Sequence, residues 1–440
     1  MIIPINAAAF NSIRHANNIF SPNAQNDGNI CYNHIRTRTK HGGEYMYDFT
    51  TTTDRRHTGS TKWDAAPARV QEAGITPLSI ADMEFQVAPQ IKRAAVKAAE
   101  HGIYGYTHVD DEYFNAVKNY YIRHHGYEVQ REWHTVTNGI VPALSVAVRA
   151  FAKEGEGVIV QSPVYYPFYN DIRKNGCKVV ENRLILKNGR YEMNFEELDR
   201  LCAREDVHLM IICSPHNPVG RVWTREEVKR VGDICLKHGV FLIADEIHCD
   251  ITFGGHKHHS LLTFPEFTDN CMVCTAMSKT FNVAGLGCSD IFIPGKERYE
   301  LYKAEQNRAM GDSLTYFARA VAITAHNECD EWVKEMLSVI EDNLNAMYEF
   351  VDTRLKGISC IRAEGTYLAW MDMRVLGLSD SELTKLCDDA DLVLDMGEIF
   401  GTNGSGFTRW NVALPKKDLI AALERLEKVV KPLLDKHGAI

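Results

Sequence analysis

Three polar side chains at the ends of apolar segments could form one catalytic site. Lys279, Asp245 and Asn217 each come at, or a few residues after, the end of a continuous apolar run. A lysine amine can form a Schiff base with an aldehyde, a buried carboxylate can hold the proton of a ring nitrogen, and an amide can donate to an oxyanion. The three groups therefore suit a heteroaromatic ring that carries an aldehyde and a phenolate.

Pyridoxal 5′-phosphate is a ring of this kind, and its phosphate needs a binding site of its own. Asn138 and Gly139 form a turn before an apolar helix that is predicted from about Val141 to Phe151. The first N–H groups of a helix can hold a phosphate dianion. Pro142 fits that first turn, because its missing N–H is not needed there. The sequence therefore predicts a pyridoxal-phosphate enzyme that acts on amino acids.

Other side chains near these runs each have a functional and a structural interpretation. Arg409, inside a strand pattern, could bind a substrate carboxylate or form an ion pair with an acidic side chain. Tyr165, at another strand end, could stack on a cofactor ring or pack in the core. His248 could reach the same site as Asp245 or satisfy a backbone carbonyl, and Asp245 could instead cap a turn. The residue types alone leave these alternatives open.

The middle of the chain alternates short apolar runs with amphipathic helical segments. The runs predicted as buried strands are residues 158–160, 207–213, 240–244, 272–277 and 289–293. Continuous apolar strands separated by helices are typical of an α/β fold with a mostly parallel sheet covered on both faces. Ligands of such sheets bind beyond the carboxyl ends of the strands, so one crevice could collect all three polar side chains.

The pattern changes after about His326. A long helix is predicted at 331–355, and strand patterns at 366–373 and 407–414 precede a terminal helix from Lys416. These elements predict a smaller α+β domain. We assign three segments: residues 46–90 to an N-terminal segment that contributes to the small domain, 91–325 to a large cofactor-binding domain, and 326–440 to the small domain.

Residues 1–45 differ in composition from the rest of the chain. They are rich in Asn, Ile, Arg and His, contain almost no acidic residues and show no sustained periodicity. We interpret them as a disordered extension, or as the product of an upstream start codon with Met46 as the natural first residue. A transit peptide is the weaker alternative.

Composition argues against several other classes of function. The net charge of −9 comes without a basic stripe, which argues against a nucleic-acid-binding protein. No apolar run reaches the ~18 residues that span a bilayer. The cysteines show no disulfide framework, which favours a cytoplasmic protein. We predict no metal site, because Cys271 and Cys274 lie in a buried strand pattern and the histidines of 256–259 lie in a solvated polar loop.

Three motifs surround the candidate residues: Ser-Pro-His-Asn-Pro-Val-Gly at 214–220, Ala-Asp-Glu-Ile-His at 244–248 and Ser-Lys-Thr-Phe-Asn-Val-Ala-Gly-Leu at 278–286. With them the chain resembles fold-type I pyridoxal-phosphate enzymes of the class I/II aminotransferase superfamily, which implies a seven-stranded sheet. Segments 54–64, 80–85 and 104–107, together with His248, are similar to motifs of the MalY/PatB-type cystathionine β-lyases, a group of carbon–sulfur lyases.

The resemblance implies a role for each candidate side chain. Lys279 would carry the cofactor, Asp245 would pair with its ring nitrogen, and Asn217 would donate to its phenolate oxygen. The other implied cofactor contacts are the N–H groups of Ile140 and Val141 and the Ser278 hydroxyl at the phosphate, and Tyr165 and His248 at the ring. The implied substrate contacts are Arg409 and Ala81. Tyr106 would reach the phosphate in the neighbouring subunit, which implies a homodimer with shared active sites.

The implied activity is α,β-elimination of L-cystathionine or a related cysteine S-conjugate to pyruvate, ammonia and a thiol. Lys279 would be the general base that removes the α-proton. Two alternatives remain open. An aminotransferase would use the same residues, and a regulatory homodimer would bind another protein while its lyase activity is incidental.

Overall fold

The computed structural model describes residues 45–436, so the predicted extension at 1–45 lies outside the described residues except for Tyr45. The strands are β1 (His134–Thr137), β2 (Gly157–Ser162), β3 (Lys178–Arg183), β4 (Ile185–Lys187), β5 (Arg190–Glu192), β6 (Val207–Cys213), β7 (Phe241–Asp245), β8 (Cys271–Thr275), β9 (Ser289–Phe292), β10 (Ser359–Cys360), β11 (Leu368–Asp372), β12 (Asp395–Met396) and β13 (Phe407–Asn411). The α-helices are α1 (Thr61–Asp64), α2 (Ala68–Glu72), α3 (Pro89–Glu100), α4 (Asp111–His125), α5 (Ile140–Phe151), α6 (Pro167–Lys174), α7 (Phe195–Cys202), α8 (Arg225–His238), α9 (Met277–Thr280), α10 (Lys296–Arg308), α11 (Tyr316–Glu328), α12 (Asp330–Arg354), α13 (Asp380–Asp389) and α14 (Lys416–Lys436).

The large sheet has seven strands in the order β1-β9-β8-β7-β6-β2-β3. Strands β8, β7, β6, β2 and β3 run parallel. Strand β9 is antiparallel to both of its neighbours, so β1 points in the same direction as β8. The predicted fold, an α/β architecture with a mostly parallel sheet, is confirmed. As a consequence, the carboxyl ends of all strands of this sheet except β9 lie at the same edge.

The two faces of the large sheet pack against two different hydrophobic cores. In β6, Leu209 and Ile211 belong to one core, while Met210 and Ile212 belong to the other. Helix α5 packs in the first core and helix α8 in the second. Every residue of β2, β7 and β8 is buried, which is why these strands are continuous apolar runs in the sequence.

A second sheet of four antiparallel strands, in the order β10-β11-β13-β12, forms after α12. The long helix, the two strands and the terminal helix predicted for this part of the chain are found as α12, β11, β13 and α14. The boundaries of the large and small domains at 90/91 and 325/326 stay predictions.

The segment before α3 is attached to the small sheet by main-chain hydrogen bonds. Asn411 N donates to Leu78 O over 2.8 Å, Leu78 N donates to Val393 O over 2.9 Å, and Glu84 N donates to Ala413 O over 2.9 Å. These bonds bring residues 80–85 next to β13, and therefore next to Arg409.

The loop after β6 joins the two sheets. Gly220 O accepts hydrogen bonds from Glu364 N at 2.7 Å and from Gly365 N at 3.0 Å. Arg221 Nε and Val222 N both donate to Glu364 Oε2, over 2.8 and 3.0 Å. Since this carboxylate is nearly buried and its partners are charged or main-chain groups, the junction fixes residues 364–365 beside the end of β6.

Several elements have no counterpart among the predicted ones, notably the hairpin β4–β5 and the helices α10 and α11. Helix α10 buries only Tyr302 and Gln306 and is polar at most of its other positions, so it has almost no amphipathic signal. Every cysteine in the described residues is buried and free, and Cys271 and Cys274 lie in β8 as predicted. Between residues 45 and 436 no helix is long and apolar enough to cross a membrane.

Candidate active site

The polar side chains predicted to act together lie beyond the carboxyl edge of the large sheet. Asp245 is the last residue of β7, Asn217 follows β6, and Lys279 lies in α9 directly after β8. Tyr165 follows β2, while Arg409 comes from β13 in the small sheet. Parallel strands end at a common edge, which explains why residues so far apart in the sequence share one site.

The Lys279 amine is held by a distant part of the main chain. Its Nζ donates to Ala81 O over 2.6 Å, and the Tyr367 hydroxyl donates to the same oxygen over 2.9 Å. Burial lowers the pKa of Lys279 to about 8, although the nearby Asp82 carboxylate acts in the opposite direction. An amine with this pKa loses its proton more readily than a surface lysine, as Schiff-base formation and proton abstraction both require.

The Asp245 carboxylate is 2% exposed, and its Oδ1 accepts a hydrogen bond from Ile247 N at 3.1 Å. The turn contact that was the structural alternative for this residue is therefore present. Burial raises the pKa of Asp245 to about 7, although the Ile247 N–H and the Lys279 charge favour the ionised form. A buried carboxylate is ionised fully only beside a strong donor or a cation, so the site suits a ligand that brings a positively charged N–H.

Arg409 joins Asn217 to an acidic residue of the small sheet. Its Nη1 donates to Asn217 Oδ1 over 3.0 Å, which leaves the amide N–H₂ of Asn217 as the group that can donate. Its Nη2 pairs with Asp395 Oδ2, so the ion pair foreseen as an alternative exists. Its Nε is buried and has no hydrogen-bond partner among the described residues. An incompletely satisfied buried guanidinium suits a planar carboxylate ligand.

His248 lies in the same group and is neutral. The residue is 2% exposed, and its ring centroid is 5.8 Å from that of Tyr367. Burial holds the pKa of His248 well below its ordinary value, and the charges of Lys279 and Arg409 act in the same direction. Within the described residues its Nδ1 is buried without a partner, so the ring has an unused polar atom beside the lysine.

Tyr165 lies between the polar side chains of the site and the apolar core. Its ring packs against Tyr166 and Phe168, with centroids 5.6 and 5.8 Å away. Burial raises the pKa of Tyr165, and the charges of Arg409 and Asp245 are close enough to influence it. Both interpretations from the sequence are therefore compatible with the position of this residue, because it packs in the core and lies near the polar group.

The candidate phosphate contacts lie at two helix starts. Helix α5 begins at Ile140 after Gly139, whose φ of 119° is unfavourable for residues with a side chain. The first N–H groups of a helix, here those of Ile140 and Val141, have no partner within the helix. Ser278 lies in α9, one residue before Lys279, and Tyr106 is fully exposed to solvent.

The sequence predicted no role at the site for three residues that lie there: Asp82, Tyr367 and Asp395. Tyr367 is part of a predicted core strand, and Asp395 lies in a short strand without a distinctive pattern. Their contacts with Ala81 and Arg409 depend on tertiary structure. Asp82 belongs to the 80–85 motif, which was the available signal.

The prediction of a solvated loop for the histidines of 256–259 is wrong for His258. Its side chain is 1% exposed, and its Nε2 lies 2.9 Å from Glu246 Oε2. The loop packs back against the residue that follows β7, because the buried Glu246 carboxylate needs a partner. The prediction holds for His256, which is exposed.

Another polar group in the described residues brings His125, Cys249 and Asp250 within 4.8 Å of one another. His125 Nε2 and Asp250 Oδ1 are 2.7 Å apart, and Thr280 Oγ1 donates to Asp250 Oδ2. The two carboxylate oxygens are thus satisfied by protein groups, and the absence of a metal site stays a prediction.

Comparison with known proteins identifies the family. The family model for aminotransferase class I and II matches residues 73–426. Cystathionine beta-lyase PatB of Bacillus subtilis (strain 168) is 36% identical over 376 residues, which are 85% of this chain and 97% of that protein. Protein MalY of Escherichia coli (strain K12) is 29% identical over 398 residues, 90% of this chain and 100% of that protein.

Solved structures show the same relationship. The chain aligns with cystalysin from Treponema denticola, which contains a pyridoxal 5′-phosphate cofactor, with a TM-score of 0.86 and 36% identity over 88% of this chain and 99% of that one. It aligns with a pyridoxal-phosphate-bound C–S lyase from Staphylococcus hominis with a TM-score of 0.81 and 27% identity over 87% of this chain and 98% of that one. The chain belongs to the aminotransferase class I and II family, and its predicted resemblance to carbon–sulfur lyases is confirmed.

Proposed function

We propose that this chain is a pyridoxal-phosphate-dependent carbon–sulfur β-lyase. It converts L-cystathionine, or a related cysteine S-conjugate, to pyruvate, ammonia and a thiol. The observation that carries the proposal is the grouping of Lys279, Asp245 and the Asn217–Arg409 pair at one edge of the large sheet. Relatives named as cystathionine β-lyases and carbon–sulfur lyases support the choice of reaction.

The residues present fit the cofactor ring. Asp245 is a buried carboxylate with no cationic hydrogen-bond partner among residues 45–436, and a pyridinium N–H is such a partner. The free N–H₂ of Asn217 can donate to a phenolate oxygen. Lys279 has a readily deprotonated amine for the aldehyde. Tyr165 and His248 complete the surroundings of the ring.

The phosphate would lie at the start of α5. The N–H groups of Ile140 and Val141 and the hydroxyl of Ser278 are the donors we assign to it. Residues 282–286, a few positions after Lys279, include no lysine or arginine, so this stretch provides no cation for the phosphate and the assigned donors are neutral groups and the helix terminus.

When bound, the cofactor provides an electron-accepting ring that stabilises negative charge at the substrate Cα. The protein residues orient the substrate and move its protons. Arg409 binds the α-carboxylate, which fixes the Cα–H bond relative to Lys279. Lys279 Nζ accepts the α-proton as general base. The electron pair left at Cα forms the Cα=Cβ bond as the Cβ–S bond breaks, and the thiolate leaves with the electron pair of the Cβ–S bond. Water then hydrolyses the released aminoacrylate to pyruvate and ammonia.

We also propose that the protein works as a cytoplasmic homodimer in which Tyr106 contacts the phosphate of the neighbouring subunit. Ile103 and Tyr106 are 72% and 112% exposed, and Met310 is 87% exposed. Thr107 pairs with Leu314 in an isolated bridge, so the segments that carry these residues are adjacent. An apolar exposed patch of this kind is typical of a subunit interface.

The proposed function is tested by pyruvate release from the purified protein with L-cystathionine and without a keto acid. Sustained release is the expected result. Conversion of the bound cofactor to its amino form by amino acids, with no pyruvate, would instead identify an aminotransferase.

The Lys279→Ala variant is expected to lose pyruvate formation and the visible absorbance of lysine-bound cofactor. The reason is that Lys279 supplies both the amine that binds the aldehyde and the base that removes the α-proton. Lys385→Ala, at an exposed i,i+4 ion pair, is the control and should keep both properties. Pyruvate formation by Lys279→Ala at the wild-type rate would contradict the assigned role.

A further inference from the structure

The acidic residue that follows Ala81 has no role in the proposed reaction, yet it belongs to an unusual charged cluster. The cluster consists of Arg55, Lys62, Asp82 and Glu84. The side chains of Lys62 and Glu84 are each 1% exposed, and those of Arg55 and Asp82 are each 24% exposed. Removing four charges from water is costly, so a cluster this close to a catalytic lysine calls for a functional explanation.

The two carboxylates of the cluster have different hydrogen-bond partners. Glu84 Oε1 accepts from Arg55 at 2.9 Å and lies 2.8 Å from Lys62 Nζ, while its Oε2 accepts from Trp63 Nε1 at 3.0 Å. Asp82 Oδ2 accepts from Arg55 at 2.6 Å. Asp82 Oδ1 is buried and has no hydrogen-bond donor among the described residues, and Lys62 Nζ is 3.4 Å away. The charge of Asp82 is therefore less fully satisfied than that of Glu84.

The main chain of Asp82 is fixed on both sides. Its carbonyl accepts hydrogen bonds from Lys62 Nζ at 2.9 Å and from Asn411 Nδ2 at 2.7 Å. The carbonyl before it, that of Ala81, accepts from Lys279 Nζ at 2.6 Å. The cluster thus determines where the hydrogen-bond acceptor of the catalytic amine lies.

Besides burial, four charged side chains influence the pKa of the Lys279 amine. The positive charges of Arg409 and Lys62 lower its pKa, and the negative charges of Asp82 and Asp245 raise it. Burial holds the pKa of His248 well below its ordinary value, which favours the uncharged ring. In the proposed function Asp245 is paired with the ring nitrogen. Asp395 pairs with Arg409 and Glu84 pairs with Lys62. Asp82 is then a carboxylate whose charge still acts on the amine itself and raises its pKa.

We infer that Asp82 is a positioning residue for Lys279. Its carboxylate supplies the negative charge that keeps the buried amine a strong enough base to take the α-proton, and its peptide presents the Ala81 carbonyl to that amine. This inference rests on the proposed function, in which Lys279 binds the cofactor and acts as general base. It also gives a reason for the buried position of Lys62, because the Lys62 amine donates to the Asp82 carbonyl and holds that main chain in place.

The test compares Asp82→Asn with Glu84→Gln in the holoenzyme. Both variants remove one carboxylate from the same cluster and keep the shape of the side chain. The absorbance of the bound cofactor is titrated against pH, because the nitrogen that links Lys279 to the cofactor loses its proton with a visible spectral change. A negative charge nearby favours the protonated nitrogen, so its removal should lower the midpoint.

We expect Asp82→Asn to lower the midpoint by about one pH unit, because the variant loses one negative charge that favours the protonated nitrogen. Glu84→Gln should lower it by less than a third of that shift. The plateau of kcat should fall in Asp82→Asn while KM for L-cystathionine stays close to the wild-type value. Equal shifts in the two variants, or none in Asp82→Asn, would overturn the inference.

Lys62→Met provides a second test with the opposite sign. Loss of a cation near the amine should raise the midpoint, and a decrease would overturn the inference. The proposed function fails separately if Lys279→Ala keeps the wild-type spectrum. If the wild-type spectrum is normal and the midpoint of Asp82→Asn is unshifted, the inference about Asp82 is wrong while the proposed function still stands.

Discussion

At the scale of residues, the site combines groups whose burial would be unfavourable without a ligand. Lys279 has a pKa of about 8, and Asp245 has one of about 7, both because burial disfavours their charged forms. Arg409 has a buried Nε that meets no acceptor in the described part of the chain. Perturbed titratable groups and unsatisfied polar atoms in one place are typical of an active site. A ligand that brings an aldehyde for Lys279, a cationic ring nitrogen for Asp245 and a carboxylate for Arg409 would satisfy all three.

Arg409→Lys is expected to raise KM for L-cystathionine by at least about tenfold, equivalent to ~1.4 kcal/mol of binding free energy. Lysine keeps the charge but cannot contact Asn217 and Asp395 simultaneously while it presents a planar fork to the substrate carboxylate. Steady-state kinetics provide the measurement. Arg362→Lys, in an exposed pair with Asp352, is the control. A similar KM in both variants would contradict the assignment of Arg409 as the carboxylate-binding residue.

At the scale of elements, the site depends on a tight contact between the loop after β6 and the segment before β11. Gly220 has a φ of +71°, and a Cβ added there would lie 2.9 Å from the Ala363 Cβ. Its carbonyl accepts from Glu364 N and Gly365 N, so the loop cannot move away without losing both bonds. The same loop carries Asn217. The glycine is therefore needed for the position of a cofactor-binding residue as well as for stability.

Gly220→Ala is expected to lower the free energy of unfolding by about 2–4 kcal/mol, the sum of left-handed backbone strain and a close contact. Chemical denaturation of the protein at fixed concentration measures it. Gly255→Ala is a matched control, because Gly255 has a φ of +78° and no atom within 4 Å of an added Cβ. It should cost only about 1 kcal/mol. Equal losses would show that the contact with Ala363 contributes nothing.

At the scale of the whole molecule, the exposed residues Ile103, Tyr106 and Met310 mark the surface through which we expect the proposed homodimer to form. If Tyr106 acts in the neighbouring subunit, a monomer has an incomplete phosphate site. Affinity for the cofactor and association of subunits would then be coupled, since each stabilises the state that the other binds.

Ile103→Asp is expected to shift the proposed homodimer towards monomer and to weaken cofactor binding at least about tenfold in parallel. A charge in an apolar interface must be desolvated without a partner. Sedimentation equilibrium and cofactor absorbance are the measurements. Leu236→Asp, at a 46% exposed position on α8, should leave both unchanged. A stable Ile103→Asp dimer would place the interface elsewhere.

The sequence by itself determined the class of fold and the central residues of the site. Buried parallel strands require continuous apolar runs, and the polar residue that ends such a run must lie at the carboxyl edge of the sheet. The positions of Asp245 and Lys279 along the chain were therefore enough to place them together. Helix ends such as that of α8 were also predictable, because capping and amphipathic spacing are local signals.

Only the tertiary structure decided which groups surround the catalytic amine. The contact of Lys279 with Ala81 joins residues 198 positions apart, and that of Arg409 with Asn217 joins residues 192 positions apart. No local pattern encodes such pairs. The buried pair of His258 with Glu246 was missed for the same reason. The composition of this Gly-rich polar loop is typical of an exposed loop, and only the fold shows that the loop covers a buried carboxylate. Local periodicity specifies elements, whereas the electrostatics of the site arise from how those elements meet.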